Sequence, residues 1–245
     1  MSESIRLSKR LVEMLSCSRR EAEQYIESGW VKVDGEMVEV MGYRVLPAQH
    51  VEILPDADLA KIAPVTILLH KPVGIDAAST GDAAIKPLLQ LITEDTRSAD
   101  DRSTFTFLRR HLRDLRMVMP LPANASGLLV FSQDWRIVRK LVEDADKTEQ
   151  EYIVEVMGEL TADGLSLLNH GLSWSGRSLS PMKVSWQNEQ HLRFATKGVQ
   201  AGQIVGACEK VGLSVISIKR IRIGRMPMAK LAMGKWRYLQ GYERF

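Results

Sequence analysis

The stretch MPLPANASGLLVF, residues 119–131, is built like half of a reactive site. Ser126-Gly127 followed by Leu128, Leu129, Val130 and Phe131 reads as a tight turn entering a buried strand. The part before it holds no Asp, Glu, His, Cys or Lys, so it offers neither a nucleophile nor a proton-transfer group. The flanking carboxylates are Asp114, eight residues before Pro122, and Asp134, twelve after it, with Asp76 further upstream. Phosphate binding is a second kind of chemistry, and it is better supplied. Arg19 and Arg20 fall in the first turn of a predicted helix, where positive side chains oppose the helix dipole. The placement makes sense if an anion docks there, because free backbone N–H groups and guanidiniums then converge on one phosphate. Arg6, Lys9 and Arg10 on the preceding helix, Ser18 between the helices and Lys32 beyond them join this candidate set. Lys71, Arg220 and Arg222 extend it along the chain. The competing reading of Arg19 and Arg20 is a pair of solvated surface arginines. Cys17 and Cys208 are far apart and form no CxxC, so they read as small core residues, and the sequence offers no ligand cluster for a metal or organic cofactor.

The elements that position these groups fall into two sections. Leu7, Leu11, Met14 and Leu15 have helical spacing, and Ser18 with Glu21 has the spacing of a capping box opening a second helix that Gly29 ends. Asp34-Gly35 then marks a two-residue hairpin turn. Residues 54–64, with two prolines and no periodicity, read as a linker. A buried strand follows at VTILLH, ending in the turn Lys71-Pro72-Val73-Gly74. Residues 93–117 open on a polar run and continue into a predicted helix with Phe107, Leu108, His111, Leu112 and Leu115 on one face. Arg109, Arg113 and Arg116 lie on another side of it, which reads as a solvated face ahead of a phosphate-tracking stripe. EYIVEVMGEL, MKVSW, HLRFAT and VISIKRIRIG read as strands, the last with Arg220 and Arg222 on one face, and QAGQIVGACEKVG as a helix. Strands interleaved with few helices predict an α+β fold with a largely antiparallel mixed sheet. The expected division is a small domain over residues 1–60 and a larger one over 61–245, with 93–117 as an atypical insert.

Charge is unevenly spread. The chain of 245 residues has a formal net charge of +3, yet residues 1–60 hold 7 basic and 11 acidic side chains. Residues 198–245 hold 9 basic and 2 acidic, which suggests a polyanion partner. No apolar run is long enough for a membrane span and the first residues lack a signal-peptide core, so the expected setting is the cytoplasm without membrane contact.

RLSKRL, SRREAEQYIESGWVKVDG and YRVLPAQHVEI resemble the S4-type RNA-binding domain, an αα-hairpin unit. LLHKPVGI, SGLLVFSQD, EQEYIVEV and the segments GQIVGACEKVG, SVISIKRIRIG and LAMGKWRYL resemble, in that order, the ribosomal RNA pseudouridine synthases of the RsuA/RluF type. The resemblance implies a reaction that breaks the N1–C1′ bond of a flipped-out uridine and rejoins the base through C5. It also implies an aspartate, a tyrosine packed on the base, and a basic group that keeps the carboxylate ionised. The family's Gly-Arg-Leu-Asp segment falls on Met119, Pro120, Leu121 and Pro122, so the aspartate position is Pro122. Tyr152 holds the tyrosine position, Gln150 stands where a lysine is usual, and Gly202, Val205 and Gly206 replace basic residues of the final helix.

The expectation is therefore a protein that binds structured RNA, ribosomal in the first instance, through backbone contacts and is catalytically defective. The alternative is an active synthase of ribosomal or transfer RNA with a relocated carboxylate, for which Asp76 is the least implausible residue. A third reading, ranked last, makes the second domain a protein-interaction module with Met226, Met228 and Met233 near its surface.

Overall fold

The computed structural model describes residues 3–78, 81–170, 172–174 and 177–245. The chain forms two units, Met1–Pro64 with Thr106–Asp114, and Val65–Phe105 with Leu115–Phe245.

In the first unit, β1 (Ile5–Arg6) leads into α1 (Leu7–Leu15), and α2 (Arg19–Glu27) follows. The Ser18 hydroxyl accepts from the Glu21 amide while the Glu21 carboxylate accepts from the Ser18 amide, closing the capping box expected from the sequence. Strands β2 (Val31–Val33) and β3 (Glu36–Met37) form the hairpin, with Asp34 and Gly35 at φ 52° and 86°. Strand β4 (Arg44–Val45) pairs with β1, and β5 (Val51–Ile53) pairs with β2. Leu7, Leu11, Ala22 and Ile26 close the core against Val31, Val33, Val45 and Val51.

The segment Thr106–Asp114 completes this unit. Leu108 packs on Gly29, where an added Cβ would stand 2.7 Å from a Leu108 methyl carbon. The Arg109 amide donates to Glu39 at 2.8 Å, and Arg113 pairs with Glu27. The predicted helix over residues 104–116 is replaced by one 3-10 turn, Arg109–Leu112, and a strand from Arg116. The physical reason lies in its apolar residues. Leu108 and His111 are buried in the first unit, while Leu115 and Met117 are buried in the second, and Asp114 at φ 51° breaks the helical path between them.

The second unit is built on β6 (Thr66–Lys71), α3 (Asp82–Leu89), β7 (Arg116–Val118), β8 (Ala125–Ser132), α4 (Trp135–Glu143), β9 (Glu149–Gly158) and α5 (Gly164–His170). It continues through β10 (Ser173–Trp174), β11 (Arg177–Ser178), β12 (Lys183–Trp186), β13 (His191–Lys197), α6 (Ala201–Lys210), β14 (Leu213–Ile223), β15 (Met226–Pro227) and β16 (Trp236–Tyr238). The main sheet runs β12-β13-β9-β14-β8-β6-β16, with β15 beside β14 and β7 beside β8. Among the described strands of this sheet only β14 and β8 pair in parallel, so the α+β class with a largely antiparallel mixed sheet holds. Leu68, Leu128, Val130, Leu141, Ile223, Met226 and Met228 form one core cluster. Met226 and Met228 therefore fill the interior, and Met233 alone of the three is exposed.

Gly127 is the tightest point of this sheet. It lies opposite Arg220 at φ 115°, and an added Cβ would stand 2.6 Å from the Arg220 amide nitrogen. Gly127→Ala is expected to destabilise the protein by about 3 kcal/mol or prevent folding, read as a lowered midpoint in urea unfolding.

Candidate functional site

Three central strands bring Tyr152, Arg220 and the 119–128 segment together. In the β14–β9 register Arg220 opposes Tyr152, and a β-bulge follows, so Arg222 opposes Glu151. Successive residues of β9 face opposite sides, and the extra residue therefore sends Arg220 and Arg222 to opposite faces of the sheet. Strict alternation had placed them on one face. Arg222 turns to Glu149 and Glu151, while Arg220 turns inward beside Tyr152.

Arg220 is 1% exposed, and its guanidinium is fully enclosed by protein acceptors. Nε donates to the Leu128 carbonyl at 2.9 Å. One terminal nitrogen donates to Met119 at 2.5 Å, and the other to Gln150 Oε1 at 3.0 Å and Pro120 at 3.3 Å. Gln150 Oε1 also accepts from the Tyr152 hydroxyl at 2.9 Å. Burial pulls the guanidinium below its ordinary pKa, with the Tyr152 hydroxyl opposing that pull. Every acceptor on this cation is uncharged.

The segment that supplies these carbonyls is held by the turn after β6. The Gly74 amide donates to Ala123 at 2.8 Å, and Ala77 and Leu121 exchange both backbone bonds. Met119 sits at φ 56°, a left-handed conformation natural to glycine and strained for methionine. Two of the next three residues, Pro120 and Pro122, are prolines. Lys71 lies opposite Gly127, is buried, and donates to Pro72 at 3.0 Å and Ile75 at 2.6 Å.

A cleft of about 240 Å³ opens at this point. Met119, Pro120 and Pro122 form one side, Gln150, Tyr152 and Arg220 another, and Gly198 with the first residues of α6 a third. The α6 N-terminus favours an anion or a carbonyl oxygen there. Gly202 leaves open space, with no atom within 4 Å of an added Cβ. Asp146 is the one carboxylate among the described lining residues, and the sequence reading missed it. Its signal was faint, a loop acid six residues before Tyr152 in a run of other charges. The acids considered from sequence lie elsewhere. Asp134 caps α4, Asp114 belongs to the first unit, and exposed Asp76 accepts from the Ala78 amide at 3.0 Å.

The candidate phosphate-binding residues divide by unit. In the first unit Arg6, Lys9, Arg19 and Arg20 are exposed, Arg10 and Lys32 are half-buried, and Ser18 serves as the helix cap. Arg6, Lys9 and Arg19 line a groove together with Arg44, which the sequence reading did not select. Strand β4 places Arg44 directly opposite Arg6. In the second unit Lys71 and Arg220 are buried and Arg222 is engaged by carboxylates, so a different set of cations faces solvent there. Among the described residues no helix is long and apolar enough to cross a membrane, and no cluster of three His, Cys, Asp or Glu side chains could hold a metal.

Residues 5–51 match the model of the S4 domain. Over 240 residues the chain is 30% identical to a putative chloroplastic ribosomal large subunit pseudouridine synthase, SVR1, of Arabidopsis thaliana. That match covers 94% of this chain and 57% of the relative, so the chain spans little more than half of the plant protein's length. It is 28% identical over 242 residues to the dual-specificity RNA pseudouridine synthase RluF of Escherichia coli, covering 98% of this chain and 77% of that one. A solved structure described as a pseudouridylate synthase shares the fold, with a TM-score of 0.57 at 17% identity over 97% of this chain and 96% of that one.

Burial pulls the Lys71 ammonium down to about 8, Arg220 adding to the effect and Asp76 opposing it. Between that value and the ordinary 10.5 the unfolded chain binds the extra proton, so stability rises with pH across this window. Urea unfolding at stepped pH is expected to show that rise, and Lys71→Met to flatten it.

Proposed function

We propose that this chain, which is similar to RNA pseudouridine synthases and carries an S4 domain match, binds structured RNA and does not isomerise uridine. One observation carries the reading. Pro122 lines the cleft beside Tyr152 and Arg220, and the sequence resemblance assigns it the position of the family's aspartate. Proline offers no carboxylate, hydroxyl or N–H, so nothing at that position attacks the sugar or base. The acceptors around Arg220 support the same reading. A catalytic carboxylate would be the natural partner of a buried guanidinium, and here three carbonyls and an amide oxygen do that work. Gln150 fits the same logic, since a lysine beside Arg220 with no carboxylate would add a second uncompensated charge.

What remains is a protein suited to holding RNA. The groove of Arg6, Lys9, Arg19 and Arg44 offers an electrostatic grip on the backbone, and the cleft keeps a tyrosine wall for an unstacked base. Ribosomal RNA is the proposed target, with a role as an assembly or maturation factor or as a competitor for a synthase site. A second reading is favoured by one observation, the presence of Asp146 in the cleft. In that case the chain is an active synthase with a relocated acid.

Purified protein incubated with ribosomal RNA transcripts is expected to leave no new pseudouridine by chemical mapping. New pseudouridine that disappears in Asp146→Asn would replace the first reading with the second. Filter binding in a salt series is expected to show affinity falling with salt. The pair Arg6→Ala and Lys9→Ala should weaken binding about tenfold through two lost phosphate contacts.

A further inference from the structure

The cleft beside Tyr152 holds two polar groups that the packing of the second unit does not use. The first is the amide nitrogen of Gln150. Its oxygen accepts from the Arg220 guanidinium at 3.0 Å and from the Tyr152 hydroxyl at 2.9 Å. These two donors fix the orientation of the amide, because only its oxygen can accept them. The nitrogen is thereby turned away from the guanidinium and has no hydrogen-bond partner among the described residues. Gln150 is 9% exposed and lines the cleft. A donor left unmet in so enclosed a side chain is costly until an occupant of the cleft supplies an acceptor.

The second group is the Asp146 carboxylate, which enters no ion pair or hydrogen bond among the described residues. Asp146 is exposed at the mouth of the cleft. Its Oδ1 stands 3.5 Å from the point where a Cβ on Gly198 would lie, on the side that leads into α6. An ionised carboxylate only accepts, and it does so through two adjacent oxygens. The cleft thus combines a donor, a pair of acceptors and the apolar surfaces of Met119, Pro120, Pro122 and Tyr152. Its volume of about 240 Å³ is at the small end for a ligand site, which suits a single base.

The four RNA bases answer this pattern differently. Uracil has one N–H on its pairing edge, between two carbonyls that repel a carboxylate. Cytosine and adenine each set an amino group beside a ring nitrogen whose lone pair faces the second carboxylate oxygen. Guanine alone places two donors side by side, N1–H and the N2 amino group, with O6 next to them as an acceptor. Both carboxylate oxygens are then met in parallel, as they are in a bidentate arginine pair, and O6 is left for the Gln150 amide. The open space at Gly202 leaves room for the second ring of a purine. From these two groups we infer that the cleft reads a guanine base of the bound RNA, with Asp146 and Gln150 as its specificity-determining residues. The inference rests on the proposed binding of RNA without isomerisation, and it names the base that the cleft takes.

Fluorescence anisotropy of labelled RNA pentanucleotides on the full chain tests it. UUGUU is expected to bind about tenfold more tightly than UUUUU, UUAUU or UUCUU, the margin of a hydrogen-bonded charged acceptor. Inosine in place of the guanosine lacks the N2 amino group and should lose most of that margin. Asp146→Asn should lose the preference for guanosine and gain one of about the same size for xanthosine, whose C2 carbonyl accepts from the new amide. A variant that exchanges one base for another has folded, so structural damage does not explain the result. The inference is overturned if UUUUU binds as tightly as UUGUU, if UUGUU shows no binding at millimolar concentration, or if Asp146→Asn leaves the guanosine preference intact. Filter binding of the ribosomal RNA transcript then separates the two claims. Salt-dependent affinity for the transcript leaves the proposed function standing without the guanine site, and its absence removes both.

Discussion

A buried guanidinium organises the second unit. Taking Arg220 out of water costs several kcal/mol unless its donors are met in good geometry. The carbonyls of Met119, Pro120 and Leu128 and the amide oxygen of Gln150 meet them, drawing the 119–128 segment around one side chain. Gly127 lets β8 approach the backbone of the same arginine, and Met119 accepts a left-handed conformation so that its carbonyl can point inward. The cleft is the space left beside this arrangement, with Tyr152 and Pro122 in its walls.

The departures from the family pattern are coupled through that charge. Removing an aspartate from beside a buried arginine leaves an uncompensated cation, and a neighbouring lysine would make it worse. Gln150 removes the second cation and supplies an acceptor in its place. The Tyr152 hydroxyl is held by the same oxygen, so the ring stays fixed as a wall of the cleft. The site is thus one buried cation met by uncharged acceptors.

The first unit solves a different problem. Its first sixty residues are net acidic, yet Arg6, Lys9, Arg19 and Arg44 are gathered into one groove by α1, α2 and the β1–β4 pair. Local clustering, not net charge, sets the potential a phosphate meets. The segment Thr106–Asp114 adds three arginines to this unit, with Arg113 neutralising Glu27.

Local signals were strong enough to fix much of this architecture from sequence. The capping box at Ser18, the Asp34-Gly35 hairpin and the strands β6, β8, β9, β12, β13 and β14 all depend on near neighbours, so spacing alone revealed them. Pro122 and Tyr152 were likewise legible as positions in an ordered series of motifs. Where the side chains point was not. One extra residue in β14 sends Arg220 inward and Arg222 to the other face, and no periodicity predicts where a strand will bulge. The apolar residues of 104–116 looked helical because spacing cannot tell one core from two. Asp146 comes from a loop brought to the cleft only by strand pairing. The sequence by itself determined the two helices of the first unit, most strands of the main sheet and the absence of a carboxylate at position 122. The tertiary structure decided which charges are buried, which are paired and which face a partner, because these depend on contacts between residues far apart in the chain.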